Sequence, residues 1–179
     1  MKKAILALFV IALVFSSTTF AQGYNPKGKV LNIGVGFGFA DATGDATIPP
    51  ISAGLQFGLT NNISVGGIVG YTGSNDKLGV FDWEYNYSYI LIGARGEYHF
   101  MEPSNKLDAY AGLTVGYNVA SSSFSGKSVF GVTPASASAG GILIGFHGGA
   151  RYALGNNWGV FGELGYGIGY ITAGAFFRL

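Results

Sequence analysis

KVLNIGVGFGFA, residues 29–40, alternates with period two: Leu31, Ile33, Val35, Phe37 and Phe39 fall on one side, and Asn32, Gly34, Gly36 and Gly38 on the other. Successive side chains of a β-strand point to opposite faces, so this stretch reads as a strand with one apolar face and one face of Gly and polar groups. The pattern returns seven more times, over residues 51–59, 63–72, 84–100, 107–119, 138–154, 158–167 and 170–179. A soluble sheet also alternates. Two features at the ends of the chain decide between a soluble and a membrane sheet.

At the start, Lys2 and Lys3 precede an apolar run, AILALFVIALVF (4–15), and Thr19-Phe20-Ala21 has the small-x-small form of a cleavage site. This is the pattern of a secretory signal peptide, residues 1–21, with the mature domain spanning 22–179. The run is too short for a membrane-spanning helix, which needs roughly 20 apolar residues. At the other end, TAGAFFRL places Ala173, Ala175, Phe177 and the final Leu179 on one face, so an apolar strand runs to the C-terminus.

Composition narrows the class. The absence of Cys removes both a lipidated N-terminus and a disulfide framework. Glycine, at 31 of 179 residues, is far above its usual share, yet 14 Phe and 11 Tyr argue against disorder. A formal charge of +1 gives no electrostatic footprint for nucleic acid.

The connections alternate in length. Those after the second, fourth and sixth strands are short, with Thr60-Asn61-Asn62 and Gly155-Asn156-Asn157 as tight turns, whereas 41–50, 73–83 and 120–137 read as long loops. Short turns on one side and long loops on the other are the asymmetry of outer-membrane barrels. Aromatics gather at both ends of the apolar faces: Tyr98, Phe100, Tyr152, Trp158 and Phe177 at the turn end, and Phe37, Phe39, Tyr71, Tyr117 and Tyr166 at the loop end. Two interfacial girdles are expected there.

The segments IGARGEYHF (92–100), LDAYAGLTVGY (107–117), FHGGARYAL (146–154) and the terminal strand resemble the small eight-stranded outer-membrane β-barrel proteins of OmpA/OmpX architecture, in their Bacteroidetes form. The likeness covers the whole mature chain. It implies an all-β, antiparallel up-and-down transmembrane barrel in the outer membrane. Its expected partners are outer-membrane lipid, lipopolysaccharide and, through the C-terminal strand, the barrel-assembly machinery. It implies no particular activity, because the family is functionally diverse.

The inward faces carry the charge. Arg95, Arg151 and Arg178 share inward parity with Glu97, Asp108 and Glu163, and His99 and His147 lie on the same faces. Unpaired buried charge costs several kcal/mol per ion, so these groups are expected to pair as a network that plugs the lumen. Counting back from the turns sets Glu97 opposite Tyr110 and His99 level with Asp108, with Glu163 diagonal to His147 and Arg151. Eight strands enclose a space just wide enough for side chains, which favours a plug over a conduction path.

A catalytic reading of His147 with Glu163 finds no nucleophile beside it, and His99 with His147 lacks a recognisable metal-ligand set, so neither catalysis nor a cofactor is expected. At the loop end, Asp41, Asp45, Asp76, Asp82 and Glu84 against Lys77 and Lys127 are expected to keep the loops solvated, with binding of divalent cations that bridge lipopolysaccharide as the alternative. Tyr85, Tyr87 and Tyr89 share inward parity near the mouth, as a vestibule for an apolar ligand or as packing that closes the upper lumen. The leading expectation is an outer-membrane barrel with a structural, surface-interaction or envelope-maintenance role. A narrow pore or small-ligand transporter, a lipid-modifying enzyme and a soluble periplasmic barrel binder are the alternatives.

Overall fold

The computed structural model describes residues 22–39, 45–78, 83–125 and 136–179; residues 1–21, Asp41, Asp82 and Lys127 lie outside the described residues. Eight strands form one closed barrel: β1 (Lys29–Phe37), β2 (Asp45–Gly58), β3 (Ile63–Leu78), β4 (Trp83–His99), β5 (Leu107–Ser125), β6 (Ala137–Ala153), β7 (Trp158–Tyr166) and β8 (Ile171–Arg178). Each pairs antiparallel with the next, and β8 returns to β1, where Ile33 lies opposite both Ala53 and Ala175. Closure leaves no free sheet edge in the body of the barrel.

The two faces are inverted relative to a soluble barrel. Ile92, Leu113, Ile142, Ile144 and Phe146 project outward with most of their surface exposed, while Arg95, Glu97, His99, Asp108 and Arg151 are buried inside. Water does not stabilise such an exterior, and hydrocarbon does. The soluble-binder alternative is thereby overturned.

Three strands run further than their sequence pattern indicates. β2 begins at Asp45, so most of the expected 41–50 loop is strand; β3 continues to Leu78 and β5 extends to Ser125, whereas β4 keeps the length read from its pattern. Along these extensions the outward positions change chemistry. Ile90 gives way to Ser88 and Asn86, Val119 to Ser121 and Ser123, and Ile142 to Gly140 and Ser138. The apolar band ends there, but hydrogen-bonded pairing continues to Leu78↔Trp83 and Glu84↔Ser125. A polar wall made by β3 to β6 therefore rises above the band, whereas β1, β7 and β8 are only eight or nine residues long. Alternation fades once both faces meet water, which is why the extensions read as loop. On the β2 flank, Pro49 and Pro50 cannot donate to a ladder, and the register shifts twice between Ala46 and Ile51.

β1 ends at Phe37 instead of Ala40. Gly38 takes φ 70°, a conformation that favours glycine, and a Cβ there would fall 2.2 Å from the Tyr170 ring. The chain turns at that point, so Phe39 is not on the lipid face: it is buried in the lumen, 5.9 Å from the Tyr89 ring.

The β4–β5 register is also corrected. Glu97 pairs with Gly112 and His99 with Tyr110, two residues from the count based on the turn. The turn that bonds Asn105 N–H to Glu102 O keeps Leu107 and Asp108 out of the β4 ladder, with Phe100 N–H reaching Ala109 O. An even shift preserves which side chains face in, since only an odd slip exchanges the faces. Glu163 lies opposite Gly149, which makes His147 and Arg151 its diagonal neighbours.

Leu113→Arg, in the middle of the apolar band on the outward face of β5, is expected to destabilise the barrel in vesicles by about 2–4 kcal/mol, whereas Ser123→Arg above the apolar band costs about 0–1 kcal/mol. Urea unfolding in lipid vesicles measures both.

Candidate functional site

Inward parity on β4 sets Arg95, Glu97 and His99 in one column, facing Asp108 and Tyr110 on β5, His147 and Arg151 on β6 and Glu163 on β7. At the centre, Glu97 accepts from Arg151 Nη2 at 2.8 Å and from Gln56 Nε2 at 2.9 Å, with Arg95 Nε at 3.6 Å. Arg95 spans the lumen to Glu163, Nη2 to Oε2 2.6 Å, and Tyr110 Oη donates to the other oxygen of that carboxylate at 2.8 Å. The Arg151 guanidinium lies 4.2 Å over the Tyr110 ring and 3.6 Å from Asp108. Three carboxylates thus interlock with two guanidiniums, each ion touching more than one partner. Arg178 stands apart at the turn end, where it donates to the Gly155 carbonyl at 2.9 Å.

His99 links this cluster to the turn-end mouth. Its Nδ1 lies 2.8 Å from Asp108 Oδ2, which accepts, so Nδ1 carries the hydrogen and Nε2 meets Ser64 Oγ at 2.9 Å. Ser64, His99 and Asp108 therefore have the spacing of a serine–histidine–aspartate relay, a combination that sequence parity did not single out because Ser64 is one of many strand serines. All three are fully buried, so no carbonyl reaches Ser64 Oγ at the roughly 3 Å that acyl transfer needs.

The cover is the N-terminal segment. Tyr24 stacks on the His99 ring at 3.7 Å, and its hydroxyl is shared between the carbonyls of Thr60 at 2.7 Å and Ile63 at 2.9 Å. Gly23 N–H donates to Asn105 O and Lys27 N–H to Gly58 O, which straps residues 23–28 across the mouth. A Cβ on Gly23 would meet Asp108 at 2.7 Å, so only glycine lets the strap lie this deep. Burial first, and the Asp108 charge second, raise the Tyr24 pKa and keep the phenol a neutral donor. No periodicity precedes residue 29, so nothing in the sequence pattern marked this strap.

Apolar layers flank the ions. Val30, Ala153, Phe161 and Phe176 fill the turn side, and Phe39, Ile68, Tyr89, Leu91 and Leu143 the loop side. Between the ions and the upper layer lies a cavity of about 30 Å³ bordered by Arg95, His147, Glu163, Leu91, Ile168 and Thr172. It has room for about two waters. Glu97, His147 and Glu163 bring ligand-capable atoms within 4.8 Å of one another. Both carboxylates are already held by guanidiniums, and a dication would have to displace Arg95.

The aromatic groups take separate places. Tyr98, Phe100, Tyr152 and Phe177 project outward at the turn end, with Trp158 half-buried beside them opposite Phe177. At the loop end, Tyr85, Tyr87 and Tyr89 form a row of rings along β4, with Phe124 edge-on to Tyr85.

No family model matches this sequence, and no curated protein matches it. Among solved structures, the barrel is similar to the N-terminal β-barrel domain of Pseudomonas aeruginosa OprF, with a TM-score of 0.57 at 12% identity over 87% of this chain and 100% of that one. It is also similar to Ail, the attachment invasion locus protein of Yersinia pestis, solved with the heparin analogue sucrose octasulfate: TM-score 0.50, 17% identity, 85% of this chain and 94% of that one. At these identities the likeness establishes the fold, an eight-stranded transmembrane-type barrel.

Glu97→Gln removes the charge that two buried guanidiniums share and is expected to cost about 3–5 kcal/mol. Arg178→Gln, outside the cluster, should cost about 1 kcal/mol. Urea midpoints in vesicles compare the two. Tyr24→Ala should open His99 to diethylpyrocarbonate, with mass spectrometry finding the adduct at His99 in the variant and not in the parent protein.

Proposed function

We propose that this chain is an exported, non-conducting outer-membrane barrel whose role is structural or surface-interacting, exercised at its loop end. The observation that carries this reading is the filled lumen. Tyr24, Phe176, Arg151, Glu97, Leu91 and Tyr89 are all buried in succession from the turn end to the loop end. A pore needs an open path, and the charges that would line one are engaged with each other. An acyl-transfer role would need a nucleophile open to substrate, and Ser64 is enclosed.

The remaining parts of the reading rest on the sequence. Residues 1–21 supply export, the apolar strand ending at Leu179 supplies the handle for the barrel-assembly machinery, and the outward faces meet lipid and lipopolysaccharide. The short turns after β2, β4 and β6 then face the periplasm and the polar wall faces the medium. The likeness in fold to the OprF β-barrel domain and to Ail supports a barrel of this kind. The Bacteroidetes-type assignment rests on the segments 92–100, 107–117 and 146–154.

The test is electrophoresis of the refolded mature protein, heated and unheated, with recording in a planar bilayer. A heat-modifiable band with no steady conductance is expected. Stable unitary conductance would overturn the plug, and a monomer soluble without detergent would overturn the membrane assignment.

A further inference from the structure

Above the apolar band the sheet is no longer closed. β7 pairs with β6 only as far as Tyr166↔Phe146, whereas β5 stays paired with β6 up to Ser122↔Ala137. Among the described residues, no strand lies beside 137–145 on the β7 side. The turn end shows which backbone groups this leaves open. Ala153 N–H donates to Lys106 O on the β5 side, and Leu154 N–H to Trp158 O on the β7 side. Antiparallel strands alternate these sides residue by residue, and the β5–β6 register runs unbroken from Tyr152 to Ala137. Ser138, Gly140 and Ile142 therefore turn both N–H and C=O to the open side.

The wall has a second open edge, on β2, and the two edges differ. Pro49 and Pro50 cannot donate and the β2 register shifts twice, which are ordinary means of keeping a strand edge from pairing. From Ala137 to Ile144, β6 has no proline, no charge and no register shift. Residues 137–142 are exposed, and a Cβ on Gly141 would meet nothing within 4 Å. One edge is blunted and the other is left fit to pair.

We propose that the β6 edge from Ser138 to Ile142 docks an extended, uncharged peptide segment of a partner protein, which adds as a strand antiparallel to β6 in line with β7. Main-chain hydrogen bonds supply the attraction in strand addition of this kind. A row of N–H and C=O groups on alternate residues is matched in spacing by polypeptide backbone. The place of the seat argues against a second copy of this chain. An added strand lies above this barrel's own β7 and β8, which end at Tyr166 and begin at Ile171, whereas the wall of a neighbouring barrel stands over that barrel's own strands. A segment arriving from the medium meets no such obstacle. The edge offers no ion to pair with a charge, so an uncharged segment loses least on docking.

This edge deepens the proposed surface role and rests on the loop end facing the medium. The experiment follows amide hydrogen exchange by NMR in the refolded mature protein, held in zwitterionic detergent. The probe is a capped nonapeptide copying residues 113–121, a segment with which β6 already pairs on its other side. Without peptide, the amides of Ser138, Gly140 and Ile142 should exchange fast, while those of Ala139, Gly141 and Leu143 are protected by β5. Millimolar peptide is expected to slow the first three about tenfold. Gly140→Pro, which removes a donor on the open side alone, should abolish the slowing at Ser138 and Ile142, and Gly140→Ala should retain it. Heat-modifiable migration verifies that each variant is folded. Protection of these three amides in the protein alone, protection that rises with protein concentration, or exchange indifferent to peptide would overturn the proposal. Maleimide labelling of Ser138→Cys on intact cells, in a chain with no Cys of its own, reads orientation independently. Failure of the edge and failure of the outward placement are thereby told apart.

Discussion

Hydrocarbon offers no partner to an unpaired backbone N–H or C=O, and that constraint governs the rest of this molecule. It obliges β8 to return to β1, and closure at eight strands leaves an interior that side chains fill. Whatever the inward positions hold must then be mutually complementary. Arg95 and Arg151 against Glu97, Asp108 and Glu163 meet that demand by sharing partners, so that no ion depends on a single contact. The inward glycines answer the same shortage of space. A Cβ on Gly34 or Gly174 would lie within about 3 Å of the Phe161 ring, so these glycines are where that ring is accommodated.

The filling is layered. Ions sit at mid-depth between two apolar clusters, and each layer is capped by the next, with Tyr24 closing the turn end. The Ser64–His99–Asp108 relay shows how far such packing can imitate catalytic geometry. Hydrogen bonds of 2.8 and 2.9 Å satisfy three buried polar groups at once, which is sufficient reason for them to form.

The membrane-embedded part of the barrel was legible because lipid on one side and a packed lumen on the other impose a strict period of two. That period identified the strands of the apolar band and assigned Arg95, Glu97, His99, Asp108, His147, Arg151 and Glu163 to the interior. What escaped it lies where the period is not imposed. Phe39 turns inward because Gly38 bends the chain, the polar extensions of β2, β3 and β5 have water on both faces, and residues 23–28 form no strand. Pairing distances depend on turn geometry, which is why the β4–β5 partners moved by two while their faces stayed. Phe124 was obscured by its serine neighbours, although its parity matches Tyr110, with which it shares β5.

The unequal strand lengths give the protein a direction within the plane of the membrane as well as across it. One side of the circumference, β3 to β6, stands tall, and the opposite side, β7, β8 and β1, stays low. A neighbouring molecule in a crowded leaflet can approach over the low side without meeting the wall, and it meets the wall's outward serines and asparagines from the other. Rotation about the membrane normal is therefore not equivalent at every angle, and the barrel has a front and a back.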